Sequence, residues 1–176
     1  MLKICIAEQM KRVAEREELD PEFILNEVRK GTVVIPANIN HKKLDPIGIG
    51  FSLKTKINAN IGNSATASNI ENELEKLHIA VHYGADTVMD LSTGGNLNEI
   101  RGAIIKESPV PVGTVPIYQC ACEVEEIKDI TPEQLIDVIE YQAEQGVDFM
   151  TVHCGILKEH LPLTKKRLTG IVSRGG

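Results

Sequence analysis

The sequence predicts an α/β fold: about the first five strands of a (β/α)8 TIM-type barrel, preceded by a small N-terminal arm or domain. Three observations lead there. Short, almost continuously apolar runs alternate with segments of helical periodicity, the pattern of parallel strands covered by helices. No G-x-G-x-x-G follows the first strand of the series, which argues against an open dinucleotide-binding sheet. Each strand instead ends in a polar or ligand-capable residue: Asn60, Met89 with Asp90, Tyr118, His153 and Ser173. A barrel gathers such carboxyl ends at one mouth, where the active site sits.

The elements follow in order. The first thirty residues read as helical, with Ile4, Ala7, Met10 and Ala14 at helical spacing. A second helix starts with Asp20 as N-cap and Pro21 at its first position and ends at Gly31. VVIP (33–36) is a short strand and NINHKKLDP (38–46) a loop, so residues 1–50 form the arm and 51–176 the barrel part. KINANIG (56–62) is the first barrel strand. Ser68 and Glu71 make a capping box for a helix with Ile70, Leu74, Leu77 and Val81 on one face. Gly84 ends it, and ADTVMDL (85–91) is the second strand. The STGG loop (92–95) is either an anion nest at a helix start or a plain turn. A helix carrying Leu97, Ile100 and Ile104 leads to PVPVGTVPIY (109–118), the third strand.

Thr131, Pro132 and Gln134 open the next helix as N-cap, first position and capping-box partner; it carries Leu135, Val138 and Ile139 and stops at Gly146. VDFMTVHC (147–154) is the fourth strand and TGIVS (169–173) the fifth. GADTVM (84–89) and GVDFMT (146–151) echo each other, each with a helix-ending Gly, a turn Asp and an apolar run. A complete barrel takes roughly 250 residues, so the sequence reads as cut just after its fifth strand.

Composition narrows the function. The 42% hydrophobic content suffices for one packed core, and the net charge of −6 argues against nucleic acid and anionic membranes. No stretch approaches the roughly 18 apolar residues of a membrane span, and the N-terminus lacks a secretory signal, so the expected location is the cytoplasm. Cys5, Cys120, Cys122 and Cys154 read as reduced structural thiols. Cys120 and Cys122 resemble half a metal site but have no matching pair, and on a strand they share a face by geometry alone. His78 and His82, four apart, lack a third ligand and read as helix surface.

At the strand ends, the Asn60 amide can donate and accept along a heterocycle edge, or simply close a turn. Tyr118 and His153 are ligand contacts or hydrogen-bonded core residues, and Met89 is a ligand contact or apolar filler. Ser173-Arg174-Gly175-Gly176 suits a phosphate, through a planar guanidinium and glycines that permit close backbone approach.

Taken together, INANIGNS (57–64), DTVMDLSTGGNL (86–97), PVGTVPIYQ (111–119), MTVHCGI (150–156) and PLTKKRLTGIVSRGG (162–176) resemble the phosphomethylpyrimidine synthase family. The resemblance implies a (β/α)8 barrel with an N-terminal domain and a mobile cysteine-bearing C-terminal segment. It implies a lyase of thiamine biosynthesis, a homodimer, that rearranges aminoimidazole ribotide into hydroxymethylpyrimidine phosphate with release of formate and carbon monoxide. The chemistry is radical S-adenosylmethionine (SAM) chemistry at a 4Fe–4S iron–sulfur cluster held by a C-x-x-C-x-x-x-x-C motif, beside a second metal, zinc.

The family's substrate contacts fall on Asn60, Met89, Tyr118, His153, Ser173, Arg174 and Gly175. Its later Asp-Gly-Leu-Arg and Glu contacts, its two zinc-binding histidines and its cluster cysteines have no counterpart. The segment is therefore expected to hold part of a substrate site, no catalytic or metal residue, and no activity alone. Two other readings stand beside it. One is a half-length module that binds a phosphorylated imidazole without chemistry. The other is a phosphate-binding barrel aldolase or decarboxylase, which needs a Schiff-base lysine at a strand end, whereas Lys54 and Lys56 stand at a strand start.

Overall fold

A computed structural model describes residues 6–64, 69–155 and 157–172 of the chain. Ile4, Cys5, Ser68, Ser173, Arg174 and Gly175 lie outside the described residues. Helix α1, Glu8–Glu17, begins after Ala7 and ends at Glu18, which takes a left-handed φ of 61°. In α2, Pro21–Lys30, the Asp20 carboxylate accepts the Glu22 N–H at 2.7 Å, and Gly31 ends the helix with φ 74°. Both ends follow from local chemistry, since Pro needs no donor at the first position and Gly adopts positive φ without strain. Met10, Val13, Ala14, Ile24 and Leu25 close a small core between the two helices. Strand β1, Val33–Val34, pairs antiparallel with β2, Ile49–Gly50, a strand that sequence reading missed.

The main sheet contains β3 (Asn58–Ile61), β4 (Thr87–Asp90), β5 (Val112–Thr114) and β6 (Phe149–Met150), all parallel and adjacent in chain order. Helices α3 (Ile70–His82), α4 (Leu97–Glu107), α5 (Pro116–Glu123) and α6 (Pro132–Gln145) connect them. Ala59, Ile61, Val88, Val112 and Met150 project toward α3 and α4, where Leu77, Ile100, Ile104 and Ile105 complete the core. Alternation along each strand sends Asn58, Asn60, Thr87, Met89, Gly113 and Phe149 to the opposite face. There Gly113 makes room for Phe149, because a Cβ would stand 2.3 Å from its ring and force it to shift.

The echoed Gly-x-Asp segments do the same work twice. The Asp86 carboxylate accepts the Ile57 N–H at 2.8 Å while Asp86 N–H donates to Ile57 O. Asp148 repeats the arrangement with Val112, accepting its N–H at 2.8 Å and donating to its carbonyl. Each aspartate ties the start of its own strand to the start of its neighbour. Asp148 also accepts the Asn38 N–H and pairs with His41, joining the loop after β1 to the sheet.

Three expectations are corrected. The apolar run 109–118 is a strand only over Val112–Thr114; Pro116 then opens α5 at its first position, so Tyr118 and both Cys120 and Cys122 are helical. Two residues apart on a helix do not share a face, and Cys120 is buried while Cys122 is exposed. The cap of α3 is Asn69, whose side chain accepts the Glu71 N–H at 2.8 Å, rather than Ser68. The described part of the expected fifth strand, 169–172, is turn and irregular chain. A strand exists through its ladder, and among the described residues β6 pairs only with β5.

Candidate functional site

Beyond the carboxyl ends of β3 and β4 opens a cleft of about 620 Å³, lined by Asn60, Gly62, Lys76, Leu91, Tyr118 and Val172 among others. Its floor depends on Gly62, which has φ 139° and whose Cβ would stand 2.6 Å from Ser92 N. Asn60 comes from β3, directly across the ladder from Met89 on β4. Tyr118 comes from the first turn of α5, and its ring faces that of His153 at 6.2 Å with a 30° tilt. His153 follows β6, and the Thr151 hydroxyl just before it points at the Met89 sulfur at 3.9 Å.

Of the four expected residues described, Asn60 and Met89 lie on strands, His153 follows β6, and Tyr118 stands on α5, the helix after β5. Asn60 and Tyr118 line one cleft, Met89 neighbours Asn60, and His153 neighbours Tyr118. Val172 lines the cleft immediately before Ser173, Arg174 and Gly175 in the sequence.

The STGG loop is a turn, not an anion nest. Ser92 N–H donates to Asp90 Oδ1, Thr93 N–H to Asn63 O and Gly94 N–H to Asn63 Oδ1, so three of its amides are engaged internally. Asn63, buried and unnoticed in the sequence, is what ties the loops after β3 and β4 together. Its signal was the asparagine-rich stretch NANIGN itself.

Two further groups were missed because they sit on helices. Lys76 on α3 reaches Gly62 O at 3.1 Å and Glu73 at 2.6 Å, and Glu73 is almost fully buried. Arg101 on α4 is a buried hub: it donates to Gln145, Gln119 and Asn98, and Gln119 and Thr114 are linked through Gln142. Burial pushes the Arg101 pKa down against the opposing charge of Asp90, and burial raises that of Asp90.

Among the described residues the metal-capable side chains do not fit an iron–sulfur cluster. Cys120 is buried with its thiol pushed up by burial, Cys122 lies on another face, and Cys154 is exposed. Among the described residues no three His, Cys, Asp or Glu side chains are placed to hold a metal. His78 and His82 are both exposed on α3. Lys54 and Lys56 precede β3 and are paired with Glu18 and Glu17, far along the strand from the cleft.

Parallel strands whose carboxyl ends open on a partly polar cleft define an α/β domain with the arrangement in which such folds bind small molecules. The sequence is matched by the Radical SAM ThiC family over residues 2–176, and the chain belongs to that family. It is similar to phosphomethylpyrimidine synthases of Halobacterium salinarum, Haloarcula marismortui and Natronomonas pharaonis. Each is 63% identical over 171 residues, covering 97% of this chain. The chain spans 36% of the length of each of these relatives.

Proposed function

We propose that the chain is part of a phosphomethylpyrimidine synthase of thiamine biosynthesis and supplies one wall of the site for aminoimidazole ribotide. The observation that carries this reading is the cleft itself, where Asn60 and Tyr118 meet Val172, the residue before Ser173-Arg174-Gly175. In this reading Asn60 bonds the imidazole edge, Met89 packs on the ring, and Tyr118 and His153 contact the ribose end. Ser173, Arg174 and Gly175 hold the phosphate, by a charge-assisted fork and backbone amides.

The sequential strand order and the packing of α3 and α4 on one face support a (β/α)8 barrel whose first strands these are. Residues 1–50 serve as its arm and 51–176 as the barrel part. An iron–sulfur cluster with S-adenosylmethionine, held elsewhere in the longer protein, would supply the radical chemistry of the family. No described residue fits the cluster or a zinc ion, and their sites are assigned elsewhere in the longer protein. With the family come a lyase activity, a homodimer and a cytoplasmic location; no helix among the described residues is long and apolar enough to cross a membrane.

Calorimetric titration with aminoimidazole ribotide tests the reading. Asn60→Ala and Arg174→Ala are each expected to weaken binding, the latter by about 1.5–3 kcal/mol for a lost charge-assisted contact. Unchanged affinity in both variants would contradict it.

A further inference from the structure

We propose that Asn58 is a positioning residue: it fixes which end of the Asn60 amide faces the cleft, so that the site selects a ligand atom that accepts a hydrogen bond. The inference rests on the reading that Asn60 touches the ligand.

Asn58 and Asn60 are two residues apart on β3 and project from the same face. Thr87, opposite Asn58 in the ladder and buried, donates its hydroxyl to Asn58 Oδ1 at 2.8 Å. The Asn58 Nδ2 then donates to Asn60 Oδ1 at 2.9 Å. A planar amide has one accepting and one donating end, so the bond from Asn58 Nδ2 commits the Asn60 oxygen; the Thr87 hydroxyl, able to donate or accept, follows the orientation of Asn58. With Oδ1 committed to Asn58, the Asn60 Nδ2 has no acceptor among the described residues and is the end left for the cleft that Asn60 lines.

The chemistry that fits is a lone pair in the plane of a heterocycle, such as an unprotonated imidazole nitrogen. A ligand presenting N–H at that position would meet a donor. Asn58 is thus the orienting group and Asn60 the reading head, with the Thr87 hydroxyl holding the Asn58 oxygen.

Asn58→Asp tests the relay, because a carboxylate can only accept. Asn60 must then turn its Nδ2 toward position 58 and offer Oδ1 to the ligand. With aminoimidazole ribotide as the probe, at an ionic strength high enough to screen the added charge, affinity is expected to fall about tenfold or more. In an Asn60→Ala background the same substitution is expected to change affinity less than about twofold, since the group it acts through is gone.

A second variant, Asn58→Leu, removes the relay without charge. The side-chain amide resonances of Asn60, read by nitrogen-edited NMR, are expected to shift and broaden in it as the amide loses its fixed orientation. Equal losses from Asn58→Asp in both backgrounds, or an unchanged Asn60 amide signal in Asn58→Leu, would overturn the proposal. A loss on Asn60→Ala without a loss on Asn58→Asp overturns the positioning role alone. No loss on either overturns the ligand assignment of Asn60 as well.

Discussion

Replacing His41 by glutamine takes a charge out of the protein interior while keeping a polar side chain of similar length. The side chains of His41 and Asp148 are both fully buried, with Nδ1 2.6 Å from Asp148 Oδ2. The other ring nitrogen, Nε2, lies 2.8 Å from Ser108 O. Both partners are acceptors, so both nitrogens donate and the ring is an imidazolium. Burial alone would lower the His41 pKa, but the Asp148 carboxylate and the Ser108 carbonyl outweigh it and the net direction is upward from 6.5.

Removing one member of a buried pair leaves the other uncompensated, which costs about 3–5 kcal/mol. Two backbone donors, Asn38 N–H and Val112 N–H, remain on the carboxylate and place the expected loss at the lower end of that range.

The pH dependence has a definite sign. A folded-state pKa above the unfolded value gives stability that is complete below about pH 6.5 and declines as pH rises through the folded pKa. The assay is urea unfolding of wild type and His41→Gln at a series of pH values from about 5.5 to 9. The stability difference is expected to be largest at the acid end and to shrink toward the alkaline end. A difference that is constant, or that grows with pH, would refute the imidazolium assignment.

Gly113→Ala places a methyl group against the Phe149 ring; thermal unfolding is expected to show a loss of about 1–3 kcal/mol, partly recovered by Phe149→Leu. Arg101→Met leaves Gln145 Oε1 without its donor, while Gln119 Oε1 keeps Gln142 Nε2 and Asn98 Oδ1 keeps Gln119 Nε2; urea titration is expected to show about 1–3 kcal/mol lost. Anaerobic iron–sulfur reconstitution of the 176-residue chain is expected to give no stoichiometric 4Fe–4S absorbance, because its cysteines lack cluster spacing. A stoichiometric signal would contradict the assignment of the cluster elsewhere.

What the sequence revealed was what is decided locally. Asp20-Pro21 with Gly31, and Thr131-Pro132 with Gly146, mark helix ends through bonds that reach only a few residues. The echoed aspartates were visible as a pattern, though their clamping of neighbouring strands was not. What stayed hidden was decided by partners. Ile49–Gly50 is a strand only because Val33–Val34 lies beside it. PVPVGTVPIY was misread because an apolar run of that length suits strand or helix, and Pro116 was the residue that settled it. The positions of Asn60, Met89 and His153 in or just beyond strands were legible because apolar runs mark strands. Lys76, Asn63 and Arg101 were not, since their roles come from side chains reaching across elements to Gly62, Gly94 and Gln119.

The most direct test of the account is an amide-resolved NMR titration of the chain with aminoimidazole ribotide. The ligand is expected to shift the backbone signals of residues 60–63, Tyr118 and Val172, which surround the cleft at the carboxyl ends of the strands. It is expected to leave those of Ile57, His41 and Asp148, at the opposite ends, unchanged. Shifts confined to that opposite end, or none at saturating ligand, would contradict the placement of the substrate site.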